Sequence, residues 1–311
     1  MNYKMVGFVL GRIFLIEAAL MLFPMGCAAI YGEWSVVLSF LWPMLIVLAL
    51  GLITSLRTPQ NTKIYARDGL AIVALVWVLM SVFGALPFVI SGEIPSFVDA
   101  FFETVSGFTT TGSTILTDVE ALSHGTLFWR SFSHWIGGMG VLVFAMAVLP
   151  MTDGRAMHLM RAEVPGPTCG KISSKLSDSA KILYAIYLVM TVIETILLCA
   201  GGMPLFDALI HAFGTAGTGG FGIYGDSIAR FSPFLQWAIT VFMIAFGVNF
   251  NVYFLLYMRR PKDALHCEEM HWYLGIIAAA ALLICANAYD VTLTLENNLR
   301  QSFFQVASII T

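Results

Sequence analysis

Seven stretches of mostly apolar residues dominate this 311-residue sequence, and each is close to the ~20 residues that a helix needs to cross a bilayer. Hydrophobic residues make up 59% of the chain and charged residues 11%, whereas a soluble domain carries about 25% charged residues. Because so few charges cannot cover a water-exposed surface, the sequence predicts an all-α integral membrane protein. The predicted spans are residues 5–30, 35–56, 70–90, 127–149, 182–200, 234–257 and 272–288.

The lysine and arginine residues give these spans a direction. All but three of the 16 basic residues fall on one side of the alternating topology. Because Lys- and Arg-rich loops stay in the cytoplasm, the sequence predicts a multi-pass protein with a cytoplasmic N-terminus. The other side is acidic, with residues that belong either to solvated loops or to a vestibule that attracts cations. These residues are Glu33, Glu93, Asp99, Asp118, Glu120, Asp207, Asp226, Asp290 and Glu296.

Several classes of function lack their characteristic residues. A net charge of −3 provides no basic surface for nucleic acid. The five cysteines form no CxxC pair and the histidines have no ligand-type spacing, so neither a transition-metal site nor a disulfide framework is expected. Motifs such as HExxH, a nucleophile elbow or a phosphate-binding loop are absent from the sequence. We expect no enzymatic activity and no covalently bound cofactor.

The outer connection between the third and fourth spans contains a half-length helix. From Phe97 the chain is apolar over ten residues, enough for a helix of about 15 Å against a bilayer core of about 30 Å. It then becomes rich in Gly and Thr, a composition that is tolerated at membrane depth only inside protein or along a wet cavity. A shift of 108 residues places Asp99 on Asp207 and Gly112 on Gly220. The sequence therefore repeats this unusual connection.

A third copy begins after the seventh span. A shift of 202 residues places Phe102 on Phe304 and Ser106 on Ser308. The three copies predict units of span, half-helix, Gly/Thr loop and span, arranged around a common axis. Half-helices that enter from outside direct their negative carboxyl ends inward.

These loops have the composition of a cation site made of backbone. Glycine allows carbonyl groups to turn toward an axis, and rings of carbonyl oxygens replace the hydration shell of a monovalent cation. Neither loop contains a carboxylate, the ligand type that Ca²⁺ and Mg²⁺ favour. The pattern favours K⁺ over divalent cations, and the residues alone leave the choice between K⁺ and Na⁺ open.

Several motifs, in the same order, resemble those of the TrkH potassium-transporter family, whose relatives are KtrB and the plant HKT proteins. The resemblance runs from the paired N-terminal spans to the last residue. The motifs are Ser106-Gly107-Phe108-Thr109-Thr110-Thr111-Gly112-Ser113-Thr114, Phe128-Trp129-Arg130-Ser131, Trp135-Ile136-Gly137-Gly138-Met139-Gly140, His211-Ala212-Phe213, Gly219-Gly220-Phe221 and Phe246-Gly247-Val248-Asn249-Phe250-Asn251.

The resemblance implies four covalently joined units around one pore that passes potassium inward across the cytoplasmic membrane of a prokaryote. It also implies a homodimer and a cytoplasmic ring of TrkA-type nucleotide-binding subunits that regulates transport. Carried over residue by residue, it implies a K⁺-binding selectivity filter formed by Thr109, Thr110, Thr111, Gly112, Ser113, Gly217, Thr218, Gly219, Gly220, Phe221, Ile310 and Thr311.

The predicted organisation follows from the repeat. Two N-terminal spans (1–66) precede a first pore unit (67–160), a second unit (161–262) and an incomplete third unit (263–311). Because two and a half units cannot close a four-fold pore, we expect either a C-terminally truncated protein, the simpler case, or a partner that completes the pore. The cytoplasmic segment 155–181 is either a solvated loop or a docking site for a regulatory subunit.

Individual residues inside the spans have competing explanations. Arg130 and Arg230 lie near outer helix ends, where a side chain is expected to extend toward the interface. The alternative for Arg130 is a brace to Asp118, Glu120 or the filter loop. Small residues in spanning helices usually serve close packing, which is the expectation for Gly137, Gly138 and Gly140.

A competing functional hypothesis is an ion-coupled secondary transporter, in which broken helices bind a substrate near the midplane of the membrane. Glu17 and Glu194 lie within spans, where an acidic residue suggests a function. They serve either ion coupling or a polar contact between helices.

Overall fold

The computed structural model describes residues 1–56, 59–61, 65–138, 140, 176–290 and 292–311, and the regular secondary structure of those residues is entirely helical. The helices are α1 (Tyr3–Leu20), α2 (Leu22–Ile30), α3 (Trp34–Ser55), α4 (Ala66–Ser91), α5 (Phe97–Phe108), α6 (His124–Gly138), α7 (Leu176–Ala200), α8 (Leu205–Ala216), α9 (Pro233–Gly247), α10 (Phe250–Tyr257), α11 (Pro261–Leu265), α12 (Glu268–Asn287) and α13 (Leu295–Ile310).

Five of the seven predicted spans are present as helices that are long and apolar enough to cross a membrane. The fourth prediction, 127–149, begins in α6, and its second half lies outside the described residues, as does most of the predicted cytoplasmic segment 155–181. The five helices are Tyr3–Ile30 (α1 with α2), Trp34–Ser55, Arg67–Ser91, Ala180–Ala200 and Glu268–Asn287.

The predicted sixth span, 234–257, is not one straight helix, although its two parts together are long and apolar enough to cross a membrane. The chain forms two helices, α9 and α10, which are bent by 85° relative to each other. Val248 between them is extended, with ψ of 138°, and the side chain of Asn249 caps α10 by accepting a hydrogen bond from the N–H of Asn251. Tyrosine hydroxyls then satisfy carbonyls near the end of α9. Tyr273 donates to Ile244 (3.1 Å) and Tyr253 donates to Ala245 (2.7 Å).

This break makes one tyrosine important for stability. Replacing Tyr273 with Phe removes the hydroxyl and leaves the Ile244 carbonyl without that donor. Leaving such a group unpaired costs about 1–3 kcal/mol, so we expect a lower midpoint of thermal unfolding in detergent. Tyr257→Phe, at an exposed position in α10, is the control. Equal midpoints for the two variants would show that the hydroxyl does not support the break.

The predicted half-helices are confirmed, and their lengths and end positions repeat. Both α5 and α8 contain 12 residues, and a shift of 108 superposes their first and last residues. Each has an aspartate in its first turn, Asp99 or Asp207, where a negative charge complements the helix dipole. Helix α13 ends at Ile310, where the shift of 202 places the end of α5.

A residue of the loop between α2 and α3 fixes the start of α6. The carboxylate of Glu33 accepts hydrogen bonds from the backbone N–H of His124 (2.9 Å) and of Gly125 (3.0 Å). Partial burial alone would raise the pKa of Glu33, but these hydrogen bonds bring it below its ordinary value. An ionised carboxylate at a helix N-terminus stabilises that helix, so Glu33 sets where α6 begins.

Helix α6 packs against both half-helices, α5 and α8. Its fully buried Trp129 donates a hydrogen bond to the carbonyl of Gly84 on α4 (2.9 Å). The same indole lies edge-on to Phe108, the last residue of α5, with ring centroids 5.9 Å apart. The core therefore holds the carboxyl end of the first half-helix between α4 and α6.

Candidate functional site

The carboxyl ends of α5 and α8 lead into two short loops, residues 109–114 (loop 1) and residues 217–222 (loop 2). Each loop has two residues in the left-handed region, at equivalent positions. Thr110 and Thr218 both have φ of 55°, while Gly112 and Gly220 have φ of 74° and 78°. A non-glycine residue rarely adopts positive φ, so its occurrence at both threonines means that the two loops share one specific backbone path.

Hydrogen bonds at the start of the loops repeat in the same way. In loop 1 the N–H of Thr111 donates to the carbonyl of Ser106 (2.9 Å), and in loop 2 the N–H of Gly219 donates to that of Gly214 (3.2 Å). A residue earlier, Thr110 and Thr218 each donate to the carbonyl three residues before them at 3.0 Å. Each half-helix therefore passes into its loop through the same turn.

The two loops meet backbone to backbone. A Cβ atom on Gly112 would collide with the carbonyl oxygen of Gly219. A Cβ on Gly214, in the last turn of α8, would lie 2.6 Å from the carbonyl oxygen of Phe221 in loop 2. Glycine is therefore required at these positions both by close approach and, at Gly112, by positive φ.

The end of α6 lies against both loops, which accounts for two glycines, Gly137 and Gly138, of the motif over residues 135–140. A Cβ on Gly137 would collide with the carbonyl oxygen of Phe108 and lie 3.1 Å from the Thr110 side chain. A Cβ on Gly138 would lie 2.7 Å from the Cα of Gly217. The expectation of a packing role is confirmed for Gly137 and Gly138. Gly137 packs against the end of α5 and loop 1, and Gly138 packs against loop 2 and the Tyr187 hydroxyl on α7.

A buried histidine supports loop 2 from behind. The ring of His134 on α6 stacks on Phe221 with centroids 4.0 Å apart, and the N–H of Phe221 donates to His134 Nδ1 at 3.5 Å. A Cβ on Gly219 would collide with the same ring. Sequence reasoning considered this histidine only as a metal ligand and missed its contact with the loop. In the part of the chain that the structure describes, no cluster of His, Cys, Asp and Glu is arranged to hold a metal ion.

Arg130 does not extend toward the membrane interface, so the first expectation for it is wrong. Its side chain is buried and its Nε lies 2.6 Å from a carboxylate oxygen of Glu103 on α5. Its Nη1 donates to the carbonyl of Gly222 in loop 2 at 2.9 Å. The brace to the loop therefore exists, and its acidic partner is Glu103 rather than Asp118 or Glu120. The sequence marks Glu103 itself as unusual, since it is an acidic residue inside an apolar half-helix, but it does not show that Arg130 is its partner.

Arg230 is an exposed residue. It forms ion pairs with Asp226 (2.9 Å) and Glu120 (3.0 Å). Glu17 and Glu194 are completely buried, on α1 and α7. Neither lines the cavity of about 170 Å³ that borders loop 2.

That cavity brings the third half-helix to the second loop. Its lining includes Thr218, Gly219 and Gly220 from loop 2, together with Ser308 and Thr311 at the end of the chain. Thr311 therefore shares a cavity with loop 2, whereas Ile310 is not part of its lining.

Comparisons with known proteins agree with this arrangement. The family model of TrkH, described as a cation transport protein, matches residues 36–306. The Trk system potassium uptake protein TrkH of Salmonella typhimurium is 35% identical over all of this chain and 66% of its own length, and TrkG of Escherichia coli is 30% identical over all of this chain and 65% of its own length. The chain thus spans about two thirds of the length of these relatives.

A solved structure shows the same fold. The crystal structure of the potassium transporter TrkH from Vibrio parahaemolyticus superposes with a TM-score of 0.85 at 27% sequence identity, over 99% of this chain and 64% of that protein. The repeated half-helices, the apolar spans and the family match all lead to one assignment. The chain is a multi-pass membrane protein that belongs to the TrkH family of cation transport proteins.

Proposed function

We propose that this chain forms part of a pore for potassium uptake and that loops 1 and 2 are two strands of its selectivity filter. The observation that carries the proposal is the shared backbone path of the loops, with left-handed residues at Thr110 and Gly112 and again at Thr218 and Gly220. Relatives that match the whole chain are named potassium uptake proteins. The order of elements resembles that of potassium channels.

The proposed mechanism uses the backbone rather than ionisable side chains. Carbonyl oxygens of residues 109–113 and 217–221 replace the water around a K⁺ ion. The carboxyl ends of α5 and α8, which lead into the loops, add the negative ends of their helix dipoles. The membrane potential drives inward movement with about 2.3 kcal/mol per 100 mV for one charge. No chemical step is involved, so we propose a transporter and not an enzyme.

We propose that Thr311 begins the third filter strand; Ile310, which the sequence placed there as well, is the last residue of the half-helix before it. Thr311 lies in the cavity that borders loop 2, and the half-helix before it ends at the position equivalent to the end of α5. A four-fold pore would need one more strand of this kind. The division into two N-terminal spans and successive pore units at 67, 161 and 263 belongs to the same proposal.

The assembly that we propose is a homodimer in the cytoplasmic membrane of a prokaryote, with the N-terminus in the cytoplasm. The distribution of Lys and Arg supports this orientation. A cytoplasmic ring of TrkA-type nucleotide-binding subunits would regulate uptake, with segment 155–181 as its docking site.

One observation favours a second candidate, an ion-coupled secondary transporter. The 85° break between α9 and α10 is a broken helix of the kind that forms substrate sites in such proteins. Glu17 or Glu194, both buried, would then take part in coupling. This candidate predicts saturable flux that depends on a proton or sodium gradient.

Rubidium uptake into liposomes tests the proposal, since Rb⁺ reports on K⁺ pathways. We would compare the 311-residue chain with a form extended through a fourth unit by the C-terminal third of a TrkH relative. The proposal expects Rb⁺ uptake by at least the extended form, with competition by K⁺ and little by Na⁺. Flux that instead follows an imposed proton gradient, in the absence of any K⁺ competition, would support the second candidate.

A further inference from the structure

The ion pair between Glu103 and Arg130 is unusual because both side chains are buried, with 0% and 3% of their surface exposed. Every other ion pair among the described residues has a partner with at least 43% exposure. Replacing a buried ion pair with apolar residues is often neutral or stabilising. Stability alone therefore does not account for this pair, and the groups around it indicate another role.

The Glu103 end of the pair holds the exit of loop 1. Its carboxylate accepts a hydrogen bond from the hydroxyl of Thr114 at 2.8 Å and one from the N–H of Ile115 at 3.1 Å. Because Glu103 lies on α5, it ties the outer end of loop 1 back to the half-helix that precedes the loop. Both carboxylate oxygens are used, so the group has a fixed orientation.

The Arg130 end of the pair holds the exit of loop 2. Its Nη1 donates to the carbonyl of Gly222 at 2.9 Å, and its guanidinium lies 3.6 Å from the centre of the Phe221 ring. These contacts use the planar, multidentate guanidinium. The single ammonium of a lysine lacks this fork and its planar face.

We propose that Glu103 and Arg130 are positioning residues for ion selectivity, which set the distance between the outer ends of loop 1 and loop 2. This inference rests on the proposed function of the loops. One buried ion pair bridges the two strands, so a shift of either strand would have to break a contact inside protein. The width of the proposed filter at this corner is then fixed by two side chains that do not themselves bind the ion.

A second ion pair joins the segment that follows loop 1 to the segment that follows loop 2, and it offers a matched control. Arg230 pairs with Glu120 at 3.0 Å and lies over the ring of Tyr224 at 3.7 Å. Both partners are exposed, at 39% and 48%, so water and salt weaken this pair. If any link between these segments were sufficient for ion selectivity, loss of either pair would change the selectivity equally.

The test measures the ratio of Rb⁺ to Na⁺ uptake in the form of the protein that conducts in the liposome experiment. We expect Arg130→Gln and Glu103→Gln each to lower this ratio about tenfold, since each leaves a buried charge without its partner. Arg130→Lys should restore part of the ratio, and Arg230→Gln should stay within about twofold of the wild type. A merely structural role would reduce the amount of active protein and total uptake without changing the ratio.

The variant Thr114→Val decides the case in which the charge variants do not fold. It keeps the ion pair and removes one hydroxyl donor to Glu103, and we expect the ratio to fall about fivefold, as loss of a hydrogen bond worth ~1 kcal/mol implies. An unchanged ratio in folded Arg130→Gln, or in Thr114→Val, overturns the inference. A wild-type protein that does not discriminate between Rb⁺ and Na⁺ contradicts the proposed function instead, and the inference falls with it.

Discussion

Replacing Gly112 with serine is expected to abolish most Rb⁺ uptake and its selectivity over Na⁺, with a larger effect than the same change at Gly220. Both glycines have left-handed backbone, which costs an L-residue about 1–2 kcal/mol. Gly112 also lies against the backbone of Gly219, where a Cβ would collide with a carbonyl oxygen, whereas a Cβ on Gly220 would meet open space. Overpacking adds about 1–3 kcal/mol at Gly112. Rb⁺ uptake with Na⁺ as competitor measures both variants.

The ranking of the two variants is what tests the structure. We expect about a tenfold loss of selectivity in Gly220→Ser and a clearly larger loss in Gly112→Ser, since each 1.4 kcal/mol corresponds to a factor of ten. Gly225→Ala is the control, because its Cβ would meet nothing within 4 Å and its φ lies outside the left-handed region. Wild-type selectivity in both serine variants would contradict the assignment of loops 1 and 2 as filter strands, and equal losses would contradict their close approach at Gly112.

The repeated half-helices could be predicted from sequence because their signal is local. The length of a half-helix can be estimated from the short apolar run that ends where Gly and Thr begin. The first and last residues of α5 and α8 agree with the 108-residue shift. The positive φ of Gly112 and Gly220 agrees with their residue type, since glycine adopts it without strain. The positive φ of Thr110 and Thr218 does not, because the strain there is held by the surrounding structure.

The helix break and the buried ion pair could not be predicted for a different reason. An apolar run has the same composition whether it is straight or bent, and one of the tyrosines that permit the bend, Tyr273, comes from another helix. Arg130 and Glu103 are 27 residues apart on different helices. The sequence offered Asp118, Glu120 or the filter loop as partners of Arg130, and of these only the loop is a partner in the structure. Both features depend on tertiary contacts, which produce no periodic pattern in the sequence.

Replacing Gly137 with alanine is expected to destabilise the protein and to impair selectivity together. The new Cβ would collide with the carbonyl oxygen of Phe108 and lie 2.8 Å from its carbonyl carbon. These are backbone atoms at the end of α5, immediately before loop 1, so a rotamer change cannot relieve the contact. We expect a loss of about 1–3 kcal/mol, measured as a lower midpoint of thermal unfolding in detergent, and a lower ratio of Rb⁺ to Na⁺ uptake.

A glycine elsewhere in the bundle separates this effect from helix propensity. Gly275 lies in α12, and a Cβ there would meet nothing within 4 Å. Since alanine is favoured over glycine in a helix by up to about 1 kcal/mol, Gly275→Ala should raise the midpoint slightly while the same change at Gly137 lowers it. Opposite signs for one substitution mean that the end of α6 is in contact with loop 1. If both variants became more stable, α6 would not be packed against the end of α5, and the position of loop 1 would have to be fixed by other contacts.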